Sequence, residues 1–144
     1  MKYTAEIEIN QPIEKVVELF NNPNNMSEWM EGLQSFEHLS GKQGEKGAKS
    51  RLKFKMGKRE IEMIETITVS NLPAELNGTY DAKGVHNIVK NKFIALPENR
   101  TKYITEQEFQ FKGFMTIIAF LMPGAFKKQS MKYLKDFKAF VEKS

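Results

Sequence analysis

Residues 48–69 read AKSRLKFKMGKREIEMIETITV, and this stretch decides the fold. Ala48, Ser50, Leu52, Phe54 and Met56 alternate with Lys49, Arg51, Lys53 and Lys55, the period of a strand with one apolar and one charged face. Gly57-Lys58 follows, and a glycine at the first of two loop positions fits a tight hairpin turn. The turn sets the register of the returning strand. Phe54 then faces Ile61 and Leu52 faces Met63 on the inner side, while Lys55 faces Glu60 and Lys53 faces Glu62 outside. Opposite-charge cross-strand pairs of this kind contribute roughly a few tenths of a kcal/mol each. The inner series of the second strand runs Ile61, Met63, Glu65, Ile67, Val69, so one carboxylate interrupts an apolar face opposite Ser50.

Working outward, residues 33–111 read as a run of antiparallel strands, preceded by one strand and a short helix and followed by one long helix. At the N-terminus Tyr3, Ala5, Ile7 and Ile9 point inward against Lys2, Thr4, Glu6 and Glu8. Ile13, Val16, Val17 and Phe20 recur at helical spacing, with Pro12 suited to the first turn. Asn21 to Asn25 is turn chemistry that stops this helix. Leu33–Leu39 forms a strand, Leu72-Pro73 breaks the fourth strand, and Leu76–Asp81 begins the fifth. Asp81 to Gly84 turns into Val85–Ala95, and Leu96 to Arg100 turns into Thr101–Phe111. The last helix has two parts: Phe114–Met122, apolar nearly all round, and a stripe of Phe126, Ser130, Tyr133, Leu134, Phe137 and Val141 beyond the Pro123-Gly124 interruption. The first part, flanked by Lys112 and Lys127, reads as a buried helix end, with a lid or a peripheral membrane contact as the alternative. A sheet of this size closed by one helix has more inner face than the helix covers, and the surplus is either plugged by side chains or left as a cavity.

Composition narrows the function. The chain has 144 residues, 40% hydrophobic and 28% charged, which suits one globular domain over residues 1–144 able to bury ~70% of its unfolded surface. It has no cysteine, which excludes disulfides, thiolate metal sites and thiol nucleophiles. The N-terminal residues alternate with charge and do not read as a signal peptide. The apolar run Phe114–Met122 falls far short of the ~20 residues of a membrane span. The expectation is a soluble cytoplasmic protein, monomer or homodimer, and the sequons at Asn25, Asn77 and Asn99 are chance matches. The net charge of +4 raises nucleic acid or anionic lipid as partners, but the basic stripe at 49–55 is matched by its neighbouring strand, so it reads as a solvated outer face, and no nucleic-acid partner is expected.

The layout resembles a known family. EIEINQPIEKVVELFNN at 6–22, Pro23 to Trp29, the hairpin glycines Gly41 and Gly47, VSNLPAEL at 69–76, HNIVKNKF at 86–93 and NRTKYITEQEFQFKG at 99–113 together are similar to the START-like superfamily, also called SRPBCC or polyketide cyclase/dehydrase-like. The resemblance covers the whole chain and rests on pattern rather than a catalytic signature. It implies an α+β helix-grip fold: a curved seven-stranded antiparallel sheet around the long C-terminal helix, two short helices near the N-terminus, and a cavity between sheet and helix. It also implies binding of lipids, sterols, polyketides or plant hormones, with a minority of members cyclising or dehydrating them. It supplies no shared catalytic residue.

Alternation names the cavity wall: Trp29, Leu52, Phe54, Met63, Glu65, Tyr80, Asn87, Val89, Asn91, Thr105, Gln107, Phe109, Phe126, Ser130 and Phe137. A few polar groups among apolar ones are what orients a ligand, although they can equally bond one another or buried water. Trp29 either closes the cavity mouth or caps the core. Glu65 is the one catalytic candidate, because a desolvated carboxylate is raised in pKa and suited to proton abstraction. It can also be turned outside by a bulge or bonded structurally to a tyrosine or lysine. His38 and His86 lie on separate strands, His86 pairing outward with Asp81, so no metal site is expected. The Gly41, Gly44, Gly47 series lacks the order of a phosphate loop and is followed by a strand, and no cofactor is expected. The function expected is a carrier or sensor of a small hydrophobic molecule. The alternatives are a cyclase, dehydratase or isomerase acting on such a ligand, or a protein-interaction module with a filled core.

Overall fold

The computed structural model describes residues 1–144. The strands are β1 (Lys2–Ile9), β2 (Leu33–Ser40), β3 (Lys49–Met56), β4 (Arg59–Asn71), β5 (Glu75–Ala82), β6 (Val85–Leu96) and β7 (Arg100–Phe111). They form one antiparallel sheet in the order β1-β7-β6-β5-β4-β3-β2. Helices α1 (Ile13–Asn21) and α2 (Met26–Trp29), joined by a 3₁₀ turn at Pro23–Asn25, lie between β1 and β2 in the chain. Helices α3 (Phe114–Leu121) and α4 (Pro123–Glu142) close the molecule. This is the α+β helix-grip architecture expected from the sequence.

The local chemistry explains the boundaries. Pro12 caps α1 in an extended conformation and its carbonyl accepts from Lys15 N and Val16 N. Asn22 stops α1 and caps the 3₁₀ turn through its side chain, which accepts from Asn24 N at 3.0 Å. Gly57, at φ 63°, makes the β3–β4 turn, and the pairing across it is Phe54 with Ile61, Leu52 with Met63 and Ser50 with Glu65, as the hairpin reading required. Pro123 starts α4 afresh at a position where its missing N–H has no partner to lose.

One end of the molecule is solid. Phe137 and Val141 of α4 are fully buried with Ile9 and Val16, and around Phe137 the rings of Phe20, Trp29 and Tyr103 stand 5.6, 5.0 and 5.7 Å away. A smaller cluster of Met26, Leu52 and Phe54 fills the space between α2 and β3.

Three expectations are corrected. Val69 is exposed, because β4 shifts register against β5 between Ile67 and Val69, and the extra residue turns the strand's alternation over. The outer ion pairs differ from those drawn from register. Arg51, rather than Lys53, takes Glu62 at 2.7 Å and also reaches Glu37 on β2 at 3.0 Å; its forked guanidinium spans two carboxylates that an ammonium on the same strand does not. Finally, α3 is not a buried helix end: Phe114 is 71% and Phe120 83% exposed, and only Ala119 in it is buried. Elsewhere on the outer face, Lys92 pairs with Glu106, Arg100 with Glu8 and Lys102 with Glu6, so much of the basic charge sits in cross-strand pairs. No helix is long and apolar enough to cross a membrane.

Candidate functional site

Beyond the solid end, α4 lifts away from the concave face of the sheet and leaves a cavity of about 790 Å³ lined by 36 residues, 20 of them hydrophobic. The wall is built by alternation. Phe54 of β3, Ile61 and Met63 of β4, Val89 of β6 and Phe109 of β7 present apolar side chains, and Phe126, Ser130 and Leu134 of α4 form the roof. Phe126 packs on Phe109 and Phe111 at 5.0 and 5.3 Å. Tyr3 ties this first turn of α4 to β1: its hydroxyl donates to the Phe126 carbonyl at 3.0 Å and accepts from Ser130 Oγ at 2.7 Å. Among the lining residues Asn21, Asn22, Asn24 and Gln43 are exposed. The connection from α1 to α2 and the glycine-rich β2–β3 loop therefore rim the cavity with amides. That loop is held down on β4 by Gly47 N to Ile67 O at 2.8 Å and Ser70 Oγ to Gly44 O at 2.6 Å.

A polar seam crosses the apolar wall. Glu65 and Tyr80 are paired across β4 and β5, and the Tyr80 hydroxyl donates to Glu65 Oε2 at 2.7 Å. Burial pushes the Glu65 carboxyl above the usual carboxylate range, and the phenol's hydrogen bond offsets part of that rise. Burial and the neighbouring carboxylate push the Tyr80 phenol well up in turn. Tyr103, raised by burial alone, donates to Asn91 Oδ1 at 3.0 Å, and Asn77 Oδ1 accepts from the Asn91 backbone N–H at 3.2 Å. Further along, Asn87 Nδ2 donates to Gln107 Oε1 at 3.1 Å and Gln107 Nε2 donates to Thr105 Oγ1 at 2.8 Å. These amides are mostly satisfied by one another. Trp29 is different: its ring borders the cavity, 7% exposed, and its buried indole Nε1–H has no hydrogen-bond partner.

This arrangement has relatives. The model of the family described as polyketide cyclase / dehydrase and lipid transport matches residues 1–142. The chain belongs to that family. With it comes the START-like superfamily that the sequence resembled. Solved structures of the same fold include the Zhui aromatase/cyclase from Streptomyces sp. R1128, with TM-score 0.84 at 12% identity over 99% of this chain and 93% of that one. A conserved protein from Geobacillus kaustophilus reaches 0.82 at 18% identity, covering 100% and 97%. A START superfamily protein from Mycobacterium smegmatis reaches 0.76 at 11% identity, covering 99% and 97%. No curated protein matches in sequence.

In this polyketide cyclase / dehydrase and lipid transport family member, most of the residues named from alternation come together. Trp29, Phe54, Met63, Glu65, Tyr80, Asn87, Val89, Asn91, Thr105, Gln107, Phe109, Phe126 and Ser130 all border the cavity. Leu52 and Phe137 do not. Both are fully buried, Leu52 under Met26 and Phe54 and Phe137 among the aromatic rings of the solid end. Alternation fixes which face a side chain takes but not how far along the element the filling stops. Glu65 points inward, held by a tyrosine, and the bulge that would have turned it out lies two residues later, beyond Ile67. Sequence reasoning missed Asn77, which lies out of phase with Tyr80 on β5, opposite the bulge, and is nonetheless 7% exposed and on the wall. It also missed Phe20, Tyr3 and Tyr133 as lining residues. The aromatic character of Tyr133 on the stripe of α4 was the available signal for that one.

Proposed function

We propose that this protein carries or senses a small, largely apolar molecule bearing a few polar groups, bound in the cavity between sheet and α4. The observation that carries the reading is the cavity itself: about 790 Å³ under an apolar roof, inside the ~300–1,000 Å³ range of small-molecule sites. An interaction module with a filled core would have no use for that space. The polar groups of such an occupant would meet the seam of Glu65, Tyr80 and the amides that crosses the apolar wall. A lipid or polyketide-like compound has this chemistry, and the family's description names both classes. The reading takes residues 1–144 as one domain of a cytoplasmic protein, monomer or homodimer, working without metal or cofactor.

A second reading has its own observation. Glu65, raised above the usual carboxylate range beside the Tyr80 hydroxyl, has the environment of a general base aimed at an apolar ligand. In that reading ionised Glu65 takes a proton from the ligand while Tyr80 holds the carboxylate in place, which suits cyclisation, dehydration or isomerisation.

Organic extraction of the purified protein followed by mass spectrometry tests the first reading. A stoichiometric apolar species supports it; an empty protein that shows no thermal shift with fatty acids, sterols or aromatic polyketides sinks it. The second is tested on the extracted ligand with Glu65→Gln, which should abolish turnover and leave affinity nearly intact.

A further inference from the structure

Helix α3 and the residue that follows it expose Phe114, Ile117, Phe120, Leu121 and Met122 at 71, 55, 83, 68 and 55%. Phe114, Ile117, Phe120 and Leu121 fall at helical spacing on one side, opposite the buried Ala119. None of the five lines the cavity, so the ligand does not account for them. A helix apolar nearly all round is ordinarily covered, and clustered exposed side chains of this size mark a contact surface.

The charge around the helix says what covers it. Lys112 precedes α3, Lys127 and Lys128 follow it in the first turns of α4, and Lys83 lies in the β5–β6 turn whose Gly84 approaches Met115 and the Lys112 carbonyl. All four lysines are exposed and none is in an ion pair, unlike Lys132 further along α4, which holds Glu31 and Asp136. From Phe109 to Lys135 there is no acidic residue. A second copy docking symmetrically on the same face would bring the two lysine clusters together, which like-charge repulsion opposes. An anionic lipid surface complements both features, taking the aromatic and aliphatic side chains into the acyl boundary and the ammonium groups among its headgroups.

We propose that α3 with its flanking lysines is a peripheral docking element for anionic lipid bilayers, lying in the interface rather than spanning it. The proposal concerns a surface outside the cavity and stands whatever the cavity holds.

Sedimentation of the full chain with vesicles of phosphatidylcholine containing phosphatidylglycerol, compared with phosphatidylcholine alone, tests it. Binding should need the anionic lipid and weaken with added salt. Phe120→Ser should weaken it about tenfold, and the double variant Lys127→Gln/Lys128→Gln should do so by about tenfold as well. Both changes are at exposed positions, and unchanged thermal melting confirms the fold. Equal sedimentation with both vesicle types overturns the proposal, as does no sedimentation with either. A concentration-dependent dimer that forms without vesicles and is dissolved by Phe120→Ser overturns it in favour of a second copy.

Discussion

Truncating one phenylalanine in each half of α4 separates a filled core from an empty one. Phe137 is fully buried, and its ring meets those of Trp29, Phe20 and Tyr103 at 5.0–5.7 Å. Phe137→Ala removes a whole ring from close packing and opens a new void that the rigid β1–β7 wall and α1 cannot collapse into, so the expected cost is about 3–5 kcal/mol. Phe126, three turns earlier on the same helix, is half-buried, touches Phe109 and Phe111, and already borders the cavity. Phe126→Ala adds to an existing void, loses two aromatic contacts worth roughly 0.5–1.5 kcal/mol each, and should cost about 1–3 kcal/mol in all. The gap of about 2 kcal/mol corresponds to a difference in Tm of about 4–8 °C for a chain of this size. Urea unfolding followed by tryptophan fluorescence, with Trp29 as the single reporter, gives both values by linear extrapolation. Equal losses for the two variants would refute the division of α4 into a packed half and a roofing half, and with it the cavity.

Two further outcomes follow from named contacts. Because burial raises the Glu65 pKa, the folded state holds that proton more tightly than the unfolded chain. The associated stability is present below the unfolded carboxylate pKa and is lost as pH rises through the folded value. Glu65→Gln, which keeps an acceptor for Tyr80, should therefore melt higher than the native protein near neutral pH and converge with it in acid; a constant offset across the melting series would contradict the pKa direction. Gly78→Ala should destabilise by about 1–3 kcal/mol, since a Cβ there comes within 2.9 Å of the Thr66 carbonyl oxygen, and an unchanged urea midpoint would show that β4 yields at that point.

The parts of this molecule legible in the sequence are those fixed by short-range rules. The Gly57-Lys58 turn is two residues long, so the β3–β4 register followed from it, and with it the placement of Glu65 opposite Ser50. With Tyr80 facing inward, the period of two places Asn87, Asn91, Thr105 and Gln107 on the inner faces of β6 and β7. The errors arise where a longer-range fact intervenes. A single extra residue between Ile67 and Val69 inverted the end of β4 and hid the role of Asn77 opposite it. Leu52 and Phe137 were assigned to the correct face but to the wrong depth, because only three-dimensional packing says where α4 leaves the sheet. The exposure of α3 was illegible for a different reason: a helix apolar on every side has no period that distinguishes a buried face from an uncovered one.

The division of α4 also explains how one end can stay empty without loss of the fold. Exposed wall rotamers and void contribute little to stability, so the molecule must draw its cohesion from the aromatic cluster of Phe20, Trp29, Phe93, Tyr103 and Phe137 and from seven continuously paired strands. The position of α4 at the cavity end is then set by few contacts, chiefly Phe126 on Phe109 and Phe111 and the Tyr3 hydroxyl on Ser130 and the Phe126 carbonyl. The polar character of the cavity therefore comes from Glu65, Tyr80 and the amides of the seam, which line it outside the aromatic cluster that holds the helix in place.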